Sequence, residues 1–159
     1  MTMSVRQLDH RIIKPVGETY SVFTVSIGGE KLAIPVPFVR TIFSLGVITP
    51  VPRSRPSILG LINLRGHILT AIDLSQRLGL ILNDHKSYSL AVAIQNKGED
   101  YAFVIDEASE VLMLTPATRI TIPHSANHIR NEFIKEFHCL DHAIISVLEI
   151  PAILDFSPS

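Results

Sequence analysis

The sequence predicts an all-β protein made of two small β-barrel subdomains. Short apolar runs alternate with polar residues and are separated by glycine and proline, and the chain carries 10 prolines. The same pattern recurs in both halves of the chain at a spacing of about 70 residues. No segment of helical periodicity is long enough to form a crossover between strands, which favours barrels over βαβ units.

The strand signals are clearest at the start of the repeat. Tyr20–Ile27 alternates, with Phe23, Val25 and Ile27 on one face. Gly28-Gly29 supplies the positive φ angles of a hairpin turn, and the strand pattern resumes at Lys31–Ile34. Pro35 and Pro37 interrupt the ladder. Further short strands are predicted at Val39–Leu45 and Val47–Val51.

The most informative segment is Asn63-Leu64-Arg65-Gly66, which lies between two apolar strand pieces after a predicted loop or helical turn at Arg53–Leu59. Strand periodicity places Asn63 and Arg65 on the face opposite Leu64. Gly66 tolerates positive φ and can bend the chain. The pattern therefore predicts an arginine held at a fixed, exposed place, which suits contact with another protein.

The second half repeats these features in the same order. The first half closes with a short helix, which is predicted at Leu74–Leu78 and ends at Gly79. Each copy would have about five short strands and a closing helix, and about 65 residues is marginal for a domain alone. The repeated segments are Tyr20–Val22 with Tyr88–Leu90, Gly29–Ile34 with Gly98–Phe103, and Ala71–Leu78 with Val147–Leu154.

We therefore expect a flexible polar tail over residues 1–17 and one domain over residues 18–156. The subdomains would cover about 20–82 and 88–156, with exchange of strands between them allowed, a joint at Asn83–Ser87 and a shared apolar seam. The tail carries no apolar core followed by a cleavage site, so it does not read as a signal peptide.

Composition narrows the function classes. The 159 residues are 47% apolar and 18% charged, which argues against disorder. A formal net charge of −1 gives no general attraction to nucleic acid or to an anionic membrane. The longest apolar stretch, Ala143–Leu154, is too short and too interrupted to insert in a bilayer. Cys139 is the single cysteine, which fits a reducing compartment, and a cytoplasmic location is expected.

The hypotheses of a metal site and of a catalytic site have little support in the sequence. His124 and His128 lie four residues apart, as do His138 and His142, but no CxxC or HExxH pattern accompanies them. We expect no metal, no cofactor and no catalytic residues. Two alternatives stay open: a small-ligand or metal-binding β-barrel sensor, and a hydrolase that pairs Cys139 with a histidine.

From Tyr20 to Phe156 the chain resembles the CheW-like family of bacterial chemosensory adaptors. The resemblance is carried by Gly60–Leu74, Ala102–Val111 and Ile144–Leu154. It implies two SH3-like, five-stranded β-barrels packed side by side and a non-catalytic scaffold in signal transduction. The implied partners are the cytoplasmic tip of a methyl-accepting chemoreceptor, the regulatory domain of a CheA-type histidine kinase, and other CheW-like domains, with no nucleic acid.

The resemblance also implies a set of partner-binding residues. Arg65 matches the family's signature arginine, and Thr41 stands where many members carry a glutamate that can pair with it. Thr70 replaces a proline that is common in the motif, which makes that strand less rigid. The remaining candidates are Asn63 in the same motif, Val39 and Ile42 in the groove segment, Arg40 as a second positive charge, and Val111 in the second motif.

Overall fold

Eleven strands form two sheets in the residues that the computed structural model describes, which are 17–80, 89–123, 126 and 128–157. The helices are short, and 3-10 turns occur at Val36–Phe38, Pro116–Thr118 and Asn131–Phe133. Within these ranges, no helix has the length and apolar character of a membrane span. The elements are β1 Tyr20–Ile27, β2 Glu30–Pro35, β3 Val39–Ser44, β4 Ile58–Leu64, β5 His67–Asp73, α1 Leu74–Leu78, β6 Leu90–Asn96, β7 Glu99–Ile105, β8 Glu107–Leu114, β9 Arg119–Ile120, β10 Ile134–Leu140, β11 Ala143–Leu148 and α2 Ile150–Ile153.

The two sheets confirm the predicted all-β architecture. The six-stranded sheet has the order β8-β1-β2-β11-β10-β9, and the five-stranded sheet has the order β3-β6-β7-β5-β4. Two parallel pairs, β2 with β11 and β5 with β7, join strands from opposite halves of the chain. Each sheet therefore contains strands from both halves of the chain. The subdomain ranges 20–82 and 88–156, for which exchange of strands was allowed, stay a prediction. The expected joint at Asn83–Ser87 and residues 1–16 of the expected tail lie outside the described residues.

Tight hairpins set the register of the antiparallel pairs. Four of them have two loop residues that both adopt positive φ: Gly28-Gly29, Arg65-Gly66, Lys97-Gly98 and Asp141-His142. This is the geometry of a type I′ turn, whose twist matches that of the flanking strands. The predicted turn at Gly28-Gly29 is confirmed.

The predicted strand at Val47–Val51 is wrong. Only Thr49 makes a bridge, to Leu61, with two backbone hydrogen bonds of 2.8 and 2.9 Å. Pro50 and Pro52 lack an N–H group, so the ladder cannot extend beyond Thr49 toward Val51.

Helix α1 begins and ends as its sequence predicts. The Asp73 side chain accepts a hydrogen bond from the Gln76 N–H at 3.3 Å and so caps the first turn. Gly79 adopts left-handed backbone geometry, with φ of 78°, and ends the helix. The same Asp73 carboxylate accepts the hydroxyl of Ser75 at 2.7 Å.

The largest apolar cluster lies between the two sheets. Phe23 and Leu32 of the six-stranded sheet belong to it, as do Ile72 and Phe103 of the five-stranded sheet. Full burial of each such side chain contributes about 1.5–3 kcal/mol. The cluster is the shared apolar seam that the sequence predicted, and it receives the predicted face of β1.

Candidate functional site

An open cavity of about 370 Å³ lies where β3, β6 and the β4–β5 hairpin come together. Its apolar floor includes Leu64, Leu69 and Ile94. A volume of this order holds one or two side chains or a small molecule. The polar lining consists of Arg40, Thr41, Arg65, His67, Gln95 and Asp100.

Arg65 is held at the edge of this cavity by its backbone. Leu64 pairs with His67, so Arg65 and Gly66 are the whole loop, with φ angles of 52° and 86°. Arg65 is exposed, as the sequence predicted. The strand assignment of Arg65 is wrong, however, because β4 ends at Leu64 and Arg65 is the first residue of the turn.

Asn63 fixes the turn from inside the motif. Its side-chain oxygen, Oδ1, accepts a hydrogen bond from the backbone N–H of Gly66 at 3.0 Å. Asn63 is exposed, but this contact is with the protein's own backbone. The structural role of Asn63 is therefore to hold the hairpin turn that carries Arg65.

Arg40 is tied into a polar chain across the cavity. Its guanidinium donates to the side-chain oxygen of Gln95, and the Gln95 Nε2 group donates to Asp100 Oδ1 at 3.3 Å. Thr41, also in the cavity wall, brings no charge to it. Among the residues that the structure describes, neither Arg40 nor Arg65 forms an ion pair.

The apolar candidates are divided between the two sheets. Val39 is half-buried and packs against the large cluster, whereas Ile42 on the same strand is 39% exposed. Val111 is 62% exposed, but it lies on β8, the outer strand of the six-stranded sheet. The structure therefore gathers Arg40 and Arg65 in the cavity wall, and Val111 is not part of that wall. Met113 lies two residues beyond Val111 and is 58% exposed, so it belongs to the same outer strand face.

Sequence reasoning missed His67, Gln95 and Asp100. His67 directly follows the Asn-Leu-Arg-Gly motif, so its position alone was a usable signal. Gln95 and Asp100 belong to the β6–β7 hairpin of the other half of the chain. They reach the cavity through the pairing of β3 with β6, which one sequence does not reveal.

A second polar cluster is built mainly on strands of the six-stranded sheet and consists of Tyr20, Thr118, Glu136 and His138. The His138 ring, 1% exposed, contacts Thr118 Oγ1 through Nδ1 and Glu136 Oε2 through Nε2, each at 2.7 Å. Glu136 Oε2 also accepts the Tyr20 hydroxyl at 2.6 Å. Tyr20 is on β1 and Glu136 on β10, so this bond joins strands that are separated by two others in the sheet.

Charge and burial shift two pKa values in this cluster. Burial raises the pKa of Tyr20, and the hydrogen bond to Glu136 raises it further. Partial burial also raises the pKa of Glu136, but hydrogen bonds from Tyr20 and His138 and the charge of Arg119 outweigh that effect. The net pKa of Glu136 is lowered, so its ionised form is the one that the fold stabilises.

The histidine side chains that the structure describes do not gather at one site. Both ring nitrogens of His138 are engaged by Thr118 and Glu136, so this ring is not poised as a base for the half-buried Cys139. His142 lies in the β10–β11 turn and is exposed, and His128 is exposed in a loop. His124 lies outside the described residues. In the ranges described, no group of three or more His, Cys, Asp or Glu side chains is placed to hold a metal ion.

Comparison with known proteins identifies the family. The family model described as a CheW-like domain matches residues 21–157. The chain is 26% identical to a probable chemotaxis protein CheW of Rhizobium etli over 133 residues. This match covers 84% of this chain and 86% of the relative. It is 27% identical over 139 residues to the chemotaxis protein CheW of Bacillus subtilis, covering 87% and 88%.

A solved structure shares the fold. The scaffolding protein TtCheW of Thermoanaerobacter tengcongensis matches with a TM-score of 0.77 and 20% identity, covering 90% of this chain and 92% of that chain. The chain belongs to the CheW-like domain family. These comparisons give no support to the alternative of a small-ligand or metal-binding sensor.

Proposed function

We propose that this chain is a non-catalytic scaffold of chemosensory signal transduction that couples chemoreceptors to a CheA-type histidine kinase. Its family membership supports this proposal, as do relatives named as chemotaxis proteins and a fold neighbour named as a scaffolding protein. The proposed mechanism involves no chemistry on the chain itself. The chain would change kinase output by fixing the relative position of its partners in the cytoplasm, at receptor arrays.

The observation that carries the proposal is the placement of Arg65. Its guanidinium stands at the edge of a cavity, on a turn of two residues, and forms no ion pair with the residues described. Arginine presents five donors in a rigid fork, and an exposed arginine whose charge is not used within the fold is suited to bind a partner. Asn63 reduces the freedom of the turn, so less entropy is lost on binding.

The other candidates define how partners would approach. A receptor helix would place its apolar stripe against Ile42 and the exposed part of Val39 on β3, with Arg40 and Arg65 beside it. Val111 lies on the outer strand of the other sheet, so it would belong to a different part of the contact surface. The kinase regulatory domain and other CheW-like domains are the further proposed partners.

Affinity measurements with the kinase and receptors of the same cell test the proposal. The wild-type chain should bind the kinase regulatory domain and the receptor tip. Arg65→Ala should cost about 2 kcal/mol or more, which is roughly thirtyfold in affinity. Lys97→Ala is a matched control, because Lys97 occupies the same position of a two-residue turn in the β6–β7 hairpin, with φ of 53°.

A loss below about twofold for Arg65→Ala, with the melting temperature unchanged, would refute the role of Arg65. Absence of binding by the folded wild-type chain to both partners would refute the scaffold function itself.

A further inference from the structure

Strand β8 forms one edge of the six-stranded sheet, and no strand of the described chain other than β1 pairs with it. Leu112 and Leu114 pack in a buried apolar cluster, whereas Val111 and Met113 are 62% and 58% exposed. We call these two exposed residues the outer strip. An exposed apolar edge strand invites association with other chains, and proteins protect such edges by pairing or covering them. The outer strip is therefore a candidate surface for a cover.

The charges beside the outer strip are negative. Glu107 and Glu110 lie on the same strand and are exposed, and β8 carries no lysine or arginine. Among the residues that the structure describes, neither of these carboxylates forms an ion pair. A cover that fits β8 should therefore combine apolar side chains with positive charges, because complementary charges across a contact favour the intended occupant.

Residues 1–16, which lie outside the described residues, have this composition. They include three basic residues against one acidic residue, and their Val, Leu and Ile residues are interleaved with these charges. The segment is therefore apolar with an excess of positive charge, whereas β8 is apolar with an excess of negative charge. The apolar residues are Val5, Leu8, Ile12, Ile13 and Val16, the basic residues are Arg6, Arg11 and Lys14, and the acidic residue is Asp9.

The same segment joins the fold beside the outer strip. Tyr20 is the first residue of β1 and pairs with Leu114, and Ser21 pairs with Met113 and donates a hydrogen bond to its sulfur at 3.8 Å. The chain therefore enters β1 at the Met113 end of β8. The eight residues of β8 extend over about 26 Å, and residues 5–13 span up to about 30 Å when extended. The segment is long enough to reach all of β8 within one molecule.

We propose that residues 5–13 lie along β8 of the same molecule and cover the outer strip. The apolar residues of the segment would contact the outer strip, and Arg6 and Arg11 would lie near the two glutamates of β8. The cover is intramolecular because a tethered segment has a millimolar effective concentration. Val111 is also a proposed partner-contact residue, so a partner that uses the outer strip must displace the cover. This competition rests on the proposed scaffold function, whereas the cover itself does not.

Disulfide trapping in the full chain tests the cover. The test variant combines Leu8→Cys with Val111→Cys in a Cys139→Ser background, so that the two new thiols are the only ones present. The control variant has its second cysteine at Ile144, which is 52% exposed and lies on β11, three strands from β8 in the same sheet. Under mild oxidation the test variant should form its intramolecular disulfide about tenfold faster than the control variant, or more.

Charge reversal adds a second measurement. Arg6→Glu together with Arg11→Glu should slow the disulfide of the test variant by about tenfold. Further addition of Glu107→Lys and Glu110→Lys should restore the rate to within about threefold, because the attraction between the two segments is re-established with opposite signs. The double arginine reversal should change the rate of the control variant by less than about twofold.

Equal disulfide rates in the test and control variants would overturn the cover, as would a rate that charge reversal leaves unchanged. Disulfide-linked dimers in place of the intramolecular bond would show that a second copy occupies the outer strip, and would also overturn it.

The competition is tested with a receptor-tip fragment from the same organism. The oxidised test variant should bind this fragment about tenfold more weakly than its reduced form, or more, because its outer strip stays covered. Equal affinity of the two forms would overturn the competition while the scaffold function stands. If the wild-type chain binds neither this fragment nor the kinase regulatory domain, the scaffold function fails, and the disulfide rates still decide whether the cover exists.

Discussion

The side chain of Asn63 accepts a hydrogen bond from the backbone N–H of Gly66 at 3.0 Å, so two residues that flank Arg65 hold each other. Arg65 lies between them in a turn of two residues and has little freedom to move its Cα atom. Asn63, Arg65 and Gly66 therefore act as one unit: the first caps the turn, the last permits it, and the arginine points outward.

Removing that cap should loosen the turn. We expect Asn63→Ala to lower the free energy of unfolding by about 0.5–1 kcal/mol, the usual contribution of one exposed hydrogen bond. Partner affinity should fall by about threefold to tenfold, because Arg65 is then less well preorganised. Chemical denaturation and calorimetric titration measure the two effects. Asn63→Asp keeps an acceptor at Oδ1 and should lose less than half as much stability; equal losses in both variants would contradict this role.

Gly60 is required by a close approach of the backbone. A Cβ atom at this position would lie 2.2 Å from the carbonyl oxygen of Thr49, and φ is 145°. Gly60→Ala should therefore lower the free energy of unfolding by about 3 kcal/mol or more, since the Thr49–Leu61 bridge must move.

Gly66→Ala is the matched control for Gly60→Ala. At Gly66 a Cβ atom meets nothing within 4 Å, so only the strain of its φ, 86°, remains. We expect a loss of about 1 kcal/mol. Denaturation midpoints that rank the two variants in the opposite order would refute the assignment of steric contact to Gly60.

The carboxylate of Glu136 should make stability depend on pH. Its pKa in the folded protein is below the ordinary value of 4.5. The stability it contributes is therefore fully present above the unfolded pKa and is lost as pH falls through the lower, folded pKa. At pH 7, Glu136→Gln should be less stable than wild type by about 1–3 kcal/mol, because buried His138 loses a charged partner.

This difference between wild type and Glu136→Gln should shrink as the pH is lowered from 5 toward 3 in thermal unfolding experiments. Glu132→Gln is the control: Glu132 pairs with Arg130 at a site where both side chains are more than half exposed, so its effect should stay near zero. A constant difference between wild type and Glu136→Gln across this range would contradict the role of the ionised carboxylate.

Arg77 holds the end of the described chain against the fold. Its Nε and Nη2 groups donate to the carbonyl oxygens of Ile153 and Asp155, each at 2.8 Å. The guanidinium also stacks on Phe133 and Phe156, with the central carbon 4.9 and 4.3 Å from the ring centroids. Arg77→Lys should cost about 1–2 kcal/mol, since lysine cannot reproduce the planar fork or the stacking.

Arg55→Lys provides the comparison for Arg77→Lys. Arg55 is exposed, donates one hydrogen bond to the carbonyl oxygen of Phe156 at 2.5 Å and lies 5.9 Å from the centroid of the Phe156 ring, so it makes fewer and more exposed contacts with this segment than Arg77 does. Its replacement should change the free energy of unfolding by less than about 0.5 kcal/mol. Hydrogen exchange of the amides in α2 should increase in Arg77→Lys only; equal exchange in the two variants would show that Arg77 does not fix this segment.

Local features of the fold followed from the sequence. The alternation of Phe23, Val25 and Ile27 predicted a buried strand face, and the glycine pair at 28–29 predicted its hairpin. Gly79 correctly marked the end of α1. Each of these features depends on neighbouring residues, so their physical cause is visible in a short segment.

Features that depend on tertiary pairing were not predicted. The parallel pairs of β2 with β11 and β5 with β7 join residues that are far apart in the sequence. Gln95 and Asp100 reach the cavity through the antiparallel pairing of β3 with β6, which also joins distant parts of the sequence. Arg65 was assigned to a strand because the period-2 alternation of the preceding residues was extended to it, whereas in the structure it adopts φ of 52° in the turn.

The most direct test of the central claim is to measure stability and partner affinity together in Arg65→Asn. Asparagine is favoured at the first position of a type I′ turn, so this variant should gain about 0.5–1 kcal/mol in the free energy of unfolding. It should also lose about thirtyfold in affinity for the kinase domain or receptor tip. Lys97→Asn, the equivalent change in the β6–β7 hairpin, should gain stability and keep full affinity. A stabilised Arg65→Asn variant that binds both partners as tightly as wild type would contradict the account.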